Sequence, residues 1–292
     1  FNKEKLDKIV LNYFKLKSKK NANLNPWRKI TKTVLKTKAS VSIGIIGKYV
    51  NLKDAYKSLD EALVHGGIDN NVKVNLVRIE SDKLSPNEIK KNLKNVSGIL
   101  IPGGFGKRGT EGKIDAIEYA RNSKIPFLGI CYGMQMAVIE FARNVLKIRK
   151  ATSSEFSKSG VNIIGLMHEW NKSGKIYKGS TKELGGTMRL GLYEAKLLEN
   201  SLIRKIYKSK IIKERHRHRY EVNIDYKSRF ENKGLIFSGI SPDNKLPEVI
   251  ELKNHPWFIG VQFHPEFKSR PLNPHPLFSS FIKAAKIKNA KY

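Results

Sequence analysis

Leu6, Ile9, Val10, Tyr13 and Phe14 recur at the i, i+3, i+4, i+7 spacing of an amphipathic helix, which predicts a first helix that docks by its apolar side. The polar stretch Lys17 to Asn25 reads as a linker, and Pro26 opens a second short helical pattern through Trp27, Ile30 and Val34. From Val41 the period changes. Val41, Ile43 and Ile45 alternate as in a strand that ends at Gly47, and the main domain is expected to begin there. A helix from about Asp54 to His65 follows, burying Ala55, Leu59, Ala62 and Leu63, with Gly66-Gly67 as its expected stop. Val72 to Ile79 reads as a strand, and Ser85-Pro86-Asn87-Glu88 is a capping box with proline at the first helical position. Gly98 to Pro102 and Ile125 to Ile130 are short apolar strands with a helix around Ile114 to Arg121 between them.

Strands that alternate with helices and are nearly continuous in apolar residues predict an α/β fold. Its central, mostly parallel sheet would be flanked by helices on both faces, with ligands bound beyond the strands' C-terminal ends. The second half is less regular. Asn162 to Met167, Thr187 to Lys196, Leu235 to Ile240, Val249 to Leu252 and Phe258 to Phe263 read as strands. Asn171 to Gly186 reads as a loop, Leu202 to Lys208 as weakly helical, and Pro276 to Lys288 as the last helix.

Composition narrows the class. A 292-residue chain with 40% hydrophobic residues can bury a sizeable core. It contains no apolar run of membrane-spanning length and no signal-like segment, so a soluble, cytoplasmic protein is expected. One cysteine excludes an intrachain disulfide. The net charge of +30 raises nucleic-acid binding. Beyond residue 40, however, the basic residues are scattered singly over predicted helix surfaces, without a zinc-finger spacing or an aromatic-and-basic signature. A solvated, lysine-rich surface is therefore the preferred reading.

That one cysteine lies in Gly129-Ile130-Cys131-Tyr132-Gly133, between an apolar strand and a helical pattern. Small residues around a nucleophile at a strand-to-helix turn make a nucleophile elbow, and the helix N-terminus favours the thiolate. A cysteine nucleophile needs a base and a group to orient that base. His264-Pro265-Glu266 offers both, because in an extended HxE triple the two side chains point the same way. Acyl transfer also needs oxyanion donors, and the amides of Gly104, in Pro102-Gly103-Gly104-Phe105-Gly106, and of Tyr132 are placed to serve.

The set PGGFG, GICYG and FHPE, in this order, resembles the class I (triad) glutamine amidotransferases, whose core is flavodoxin-like. Longer runs resemble the C-terminal glutaminase domain of the CTP synthase family: GKYVNLKDAYKSLDEAL, IPGGFGKRGTEGKIDAI, LGGTMRLG, ERHRHRYEVN and HPWFIGVQFHPEFKSRP. The resemblance covers roughly Val41 to Lys286, and residues 1–40 resemble the helical interdomain linker. It implies hydrolysis of L-glutamine to glutamate and ammonia, with Cys131 as nucleophile, His264 as base and Glu266 as its partner. Gly104 and Tyr132 would supply oxyanion amides. Gly104, Gln135, Glu155 and Arg219 would bind glutamine, with Arg219 pairing with its carboxylate.

The resemblance further implies a synthetase domain, before Phe1 and absent from this chain, which uses ATP, Mg²⁺ and the ammonia to convert UTP to CTP in a homotetramer. GTP would activate allosterically around Gly112 and a lid segment, Leu184 to Gly191, that includes Arg189; otherwise Arg189 reads as a solvated loop charge. No cofactor or metal is implied for this part. One position departs from the family: Tyr132 stands where leucine is usual, and its ring is expected to crowd or gate the glutamine pocket. The alternatives are another class I amidotransferase, a γ-glutamyl hydrolase, or a non-catalytic interaction domain.

Overall fold

The computed structural model describes residues 2–18, 21–50, 52–157, 159–166, 169–172, 175–178 and 188–290, with the side chains of 53, 83, 86 and 169–178 left aside. Helices α1 (Leu6–Tyr13) and α2 (Asn25–Lys36) precede the sheet. The apolar residues expected to dock α1 are exposed: Ile9 is 58% and Tyr13 80% accessible. The main domain then alternates as the hydrophobic pattern predicts. It runs β1 (Ser40–Gly47), α3 (Lys57–Asp69), β2 (Lys73–Glu80), α4 (Pro86–Leu93), β3 (Gly98–Ile101), α5 (Thr110–Asn122), β4 (Phe127–Ile130) and α6 (Tyr132–Asn144).

Smaller elements follow. They are β5 (Ala151–Ser153), β6 (Val161–Leu166), the hairpin β7 (Glu169–Lys172) and β8 (Lys175–Lys178), β9 (Arg189–Leu197) and α7 (Leu202–Tyr207). β10 (Ile211–His218), β11 (Tyr220–Val222), α8 (Lys227–Glu231), β12 (Leu235–Ile240), β13 (Pro247–Leu252), β14 (Phe258–Val261) and α9 (Pro276–Asn289) complete the chain.

A nine-stranded sheet runs in the order β10-β9-β12-β13-β14-β4-β3-β1-β2. The strands β2, β1, β3, β4 and β14 are parallel, and the rest extend the sheet antiparallel. Side chains that alternate across the pleat feed two cores. Ile46, Ile99, Ile101 and Phe127 pack with residues of α4, α5 and α6 on one face. Ile43, Ile45, Leu100, Leu128 and Ile130 pack with residues of α3 and α9 on the other. Because β1, β3, β4 and β14 are adjacent and parallel, their C-terminal ends lie side by side on one edge, roughly 4.8 Å apart.

Several expectations change. Gly66-Gly67 does not stop α3, which runs on to Asp69. Here glycine serves packing: a Cβ at 66 would meet the Phe278 carbonyl oxygen at 2.9 Å, and one at 67 would meet Val74 at 2.7 Å. The capping box forms as expected, with the Ser85 hydroxyl accepting from the Glu88 amide and the Glu88 carboxylate accepting from the Ser85 amide. The loop expected at Asn171 to Gly186 begins with the β7–β8 hairpin, where lysines and sparse apolar residues obscure the alternation. Residues 179–187, and with them half of the expected lid, lie outside the described residues, as does Met167.

Candidate active site

Four adjacent strand ends deliver the chemistry. β4 ends in Cys131, β3 in the loop Pro102 to Gly106, β1 in Lys48, and β14 in Gln262 and His264. Cys131 has φ 50° and ψ −100°, a left-handed conformation that costs a non-glycine residue on the order of 1–3 kcal/mol. The flanking glycines permit this turn by close approach. A Cβ on Gly133 would lie 2.2 Å from the Ile101 carbonyl oxygen, and one on Gly129 would lie 2.8 Å from the Gly133 backbone. The turn thus presses α6 onto β3 and β4. The Cys131 amide is fixed by Val261 O at 2.7 Å, and its sulfur accepts from Gln262 Nε2 at 3.6 Å.

His264 Nδ1 lies 2.7 Å from Glu266 Oε1. The pair forms by a route other than the extended triple that the residues predict, because Pro265–Lys268 is a 3₁₀ turn that folds the carboxylate back to the ring. Phe267 stacks on the imidazole at 5.2 Å, and the His264 amide donates to Arg215 O at 2.8 Å. Burial alone would lower the His264 pKa, but the negative charge and hydrogen bond of Cys131, with the bond and charge of Glu266, outweigh it and raise it to about 10. The imidazole is therefore held as imidazolium at neutral pH.

A cavity of about 560 Å³ opens over Cys131 and His264. Gly104, Gln135, Glu155 and Arg219 line it, so four positions expected at the glutamine site meet in one cavity from four segments. Gln135 Nε2 donates to Tyr220 O at 2.9 Å and Gln262 Oε1 at 3.2 Å. Arg219 Nε makes no hydrogen bond among the described residues. Glu155 Oε1 accepts from the Gly106 amide at 2.7 Å. Burial raises the Glu155 pKa against the pull of that amide and of Lys48.

Three expected residues fall elsewhere. Tyr132 neither crowds nor gates the pocket: it is 1% exposed and packs beneath Gly104, with its ring inside the core. Arg189 is no solvated loop charge, being 2% exposed, 2.6 Å from Glu248 and 3.5 Å from Glu221. Gly112 lies within α5, where a Cβ would meet Ser81 O at 2.2 Å, so it sets the contact of that helix with the 81–83 turn. The alternation along β10 buries Glu214, His216 and His218 and exposes Lys213, Arg215 and Arg217. Burial, then the charge of Arg189, holds His216 and His218 well below the usual histidine range, so both are neutral.

Sequence reasoning passed over Lys48, Gly103, Lys113 and Gln262. Lys113 Nζ donates to Ser81 Oγ at 2.7 Å, and burial lowers its pKa to about 8, helped by the charge of Lys48. The placement of Lys48 and Gln262 was readable, since each follows a strand that ends at the site. Lys113 gave no such signal, being one lysine among many on a helix.

At the C-terminal edge of a parallel sheet the chain thus places a cysteine, at a strand-to-helix turn, beside a histidine held by a carboxylate, which is the arrangement that cysteine acyl transfer requires. Residues 51–284 match the family model for glutamine amidotransferase class-I, and the chain belongs to that family. It is similar to the CTP synthases of Pelagibacter ubique, at 78% identity, and Rhizobium johnstonii, at 55%, over 98% of this chain and 53% of each relative. The chain thus spans about half the length of the curated relatives it matches. Among solved structures it is similar to the glutaminase domain of the Trypanosoma brucei enzyme with bound acivicin. That match has 37% identity and a TM-score of 0.76, covering 84% of this chain and 94% of that one. Among the described residues no helix is long and apolar enough to cross a membrane.

Proposed function

We propose that residues 41–292 form the glutaminase part of a CTP synthase, with residues 1–40 as a linker to a synthetase domain of the same polypeptide. The observation that carries this reading is the Cys131, His264 and Glu266 arrangement beneath a pocket lined by Gln135, Glu155 and Arg219. The Cys131 thiolate attacks the side-chain carbonyl of L-glutamine, and the Gly104 and Tyr132 amides stabilise the oxyanion. His264, protonated and oriented by Glu266, gives its proton to the departing nitrogen and releases ammonia. The resulting γ-glutamyl thioester is attacked by water, which loses its proton to His264, and glutamate leaves.

The pocket's polar groups suit a free amino acid. Glu155 and the carbonyl oxygen of Gln135, whose two amide protons are engaged, face the ammonium, while the open Nε of Arg219 meets the carboxylate. The neutrality of His218 beside that arginine avoids an extra positive charge there.

The ammonia is used by the synthetase domain, with ATP and Mg²⁺, to convert UTP to CTP in a homotetramer, in the cytoplasm. GTP acts as activator beside that pocket, which Lys48, Lys113 and Arg217 line together with the exposed ring of Phe105. In this reading Gly112 and Arg189 serve the effector site through the elements they hold rather than by contact. The test is ammonia release from glutamine by the protein carrying its full reading frame, with and without GTP. Activity that requires Cys131 and rises with GTP is expected, and full ammonia release by Cys131→Ala would overturn the assignment.

A further inference from the structure

We infer that Tyr132 is a positioning residue that sets the two halves of the oxyanion hole relative to each other, an inference that rests on the glutaminase reading above. Its main-chain N–H belongs to the first turn of α6, directly after the nucleophile, where helix geometry leaves amide donors without intrahelical partners. Its side chain reaches the other half. The ring lies 3.8 Å from where a Cβ of Gly104 would stand, and the hydroxyl donates to Gly106 O at 2.7 Å.

The Gly106 peptide, left-handed at φ +74°, is held from several sides. Its amide donates to Glu155 Oε1 at 2.7 Å, and Lys48 Nζ donates to its carbonyl at 3.3 Å and also to Phe105 O. Lys48 also lies 5.7 Å from the Tyr132 ring centre, and Phe156, next to Glu155, packs edge-on against that ring at 6.1 Å. Tyr132 alone among these belongs to the helix that follows the nucleophile. Movement of its hydroxyl anchor moves Gly104 relative to the Tyr132 amide. Burial pushes the phenol well above its ordinary range, so it remains a proton donor throughout the working pH range.

Two donors on separate segments stabilise an oxyanion only if their separation is fixed before charge develops, and a misplacement of about 1 Å costs roughly 100-fold in rate. A leucine at this position could not make the hydroxyl bond to Gly106 O, so the anchor depends on the phenol.

The test compares Tyr132→Phe with wild type in the full-length protein. Glutamine hydrolysis measures oxyanion stabilisation, whereas alkylation of Cys131 by iodoacetamide displaces iodide at a saturated carbon and builds no oxyanion. The expected result is a kcat about 10- to 100-fold lower, with KM and the alkylation rate each within about threefold of wild type. Incorporation of 2,3-difluorotyrosine at position 132, which keeps ring and donor, is expected to retain kcat. An unchanged kcat in Tyr132→Phe, or an alkylation rate that falls in parallel with kcat, would overturn the role of Tyr132. Failure of the wild type to release ammonia would instead overturn the glutaminase reading.

Discussion

The Cβ that Gly103 lacks would stand 2.7 Å from Cε1 of His264, closer than any side chain could tolerate. The loop that carries Gly104 and the ring that carries the base are therefore in direct contact, and the absent methyl group sets how near His264 comes to the turn. Gly103→Ala is expected to push the imidazole out of line. Steady-state kinetics should register a kcat lower by roughly 100-fold, in keeping with a displacement of about 1 Å. Thermal denaturation should register little, because the loop can yield locally. Wild-type kcat would show that the ring has room to spare.

The charge of the Cys131 and His264 pair gives a second expectation. Since the negative charge of Cys131 is the foremost contribution holding His264 up, Cys131→Ala should lower the histidine pKa from about 10 towards its ordinary value of 6.5, followed by imidazole proton resonances. The sign for stability follows. A histidine raised in the folded state contributes stability fully present below about pH 6.5 and lost as pH climbs through about 10. The wild type should accordingly lose stability relative to Cys131→Ala as pH climbs from the ordinary thiol range, about 8.5, towards 10. An imidazole that titrates alike in both proteins would exclude the ion pair.

Arg189 holds two carboxylates that come from different strands, Glu248 of β13 and Glu221 of β11, and all three side chains are buried. Arg189→Met should cost about 3–5 kcal/mol at pH 8, because removing one partner leaves buried charge uncompensated. Burial raises the pKa of both carboxyls against the pull of Arg189. A carboxyl raised in the folded state destabilises above that pKa, and the cost is relieved as pH falls through it. The deficit measured by denaturant unfolding should thus shrink towards pH 5, and a deficit independent of pH would point to lost packing alone.

Much of this site was legible from residues that sit at strand ends. Cys131 between two glycines, His264-Pro265-Glu266 after an apolar strand and Pro102 to Gly106 after another were readable because a parallel sheet gathers the C-terminal ends of its strands. Contacts between segments far apart in the chain were not. Nothing local distinguishes Gly66, Gly67 or Gly112 from turn glycines, since their role depends on Phe278, Val74 and Ser81. Burial of Arg189 depends in the same way on Glu248 and Glu221. Tyr132 misled for a related reason: a large residue beside a nucleophile suggests a gate, yet its ring points into the core that α6 shares with α5.

The central claim is that Cys131 forms a γ-glutamyl thioester with glutamine, and rapid acid quench followed by intact-protein and peptide mass spectrometry tests it most directly. On mixing with glutamine, the peptide that contains Cys131 should gain the mass of one γ-glutamyl group. The adduct should accumulate when His264→Asn slows its hydrolysis more than its formation, and it should be absent in Cys131→Ala. Ammonia release with no adduct on Cys131 in either the wild type or the histidine variant, or an adduct on another residue, would contradict the claim.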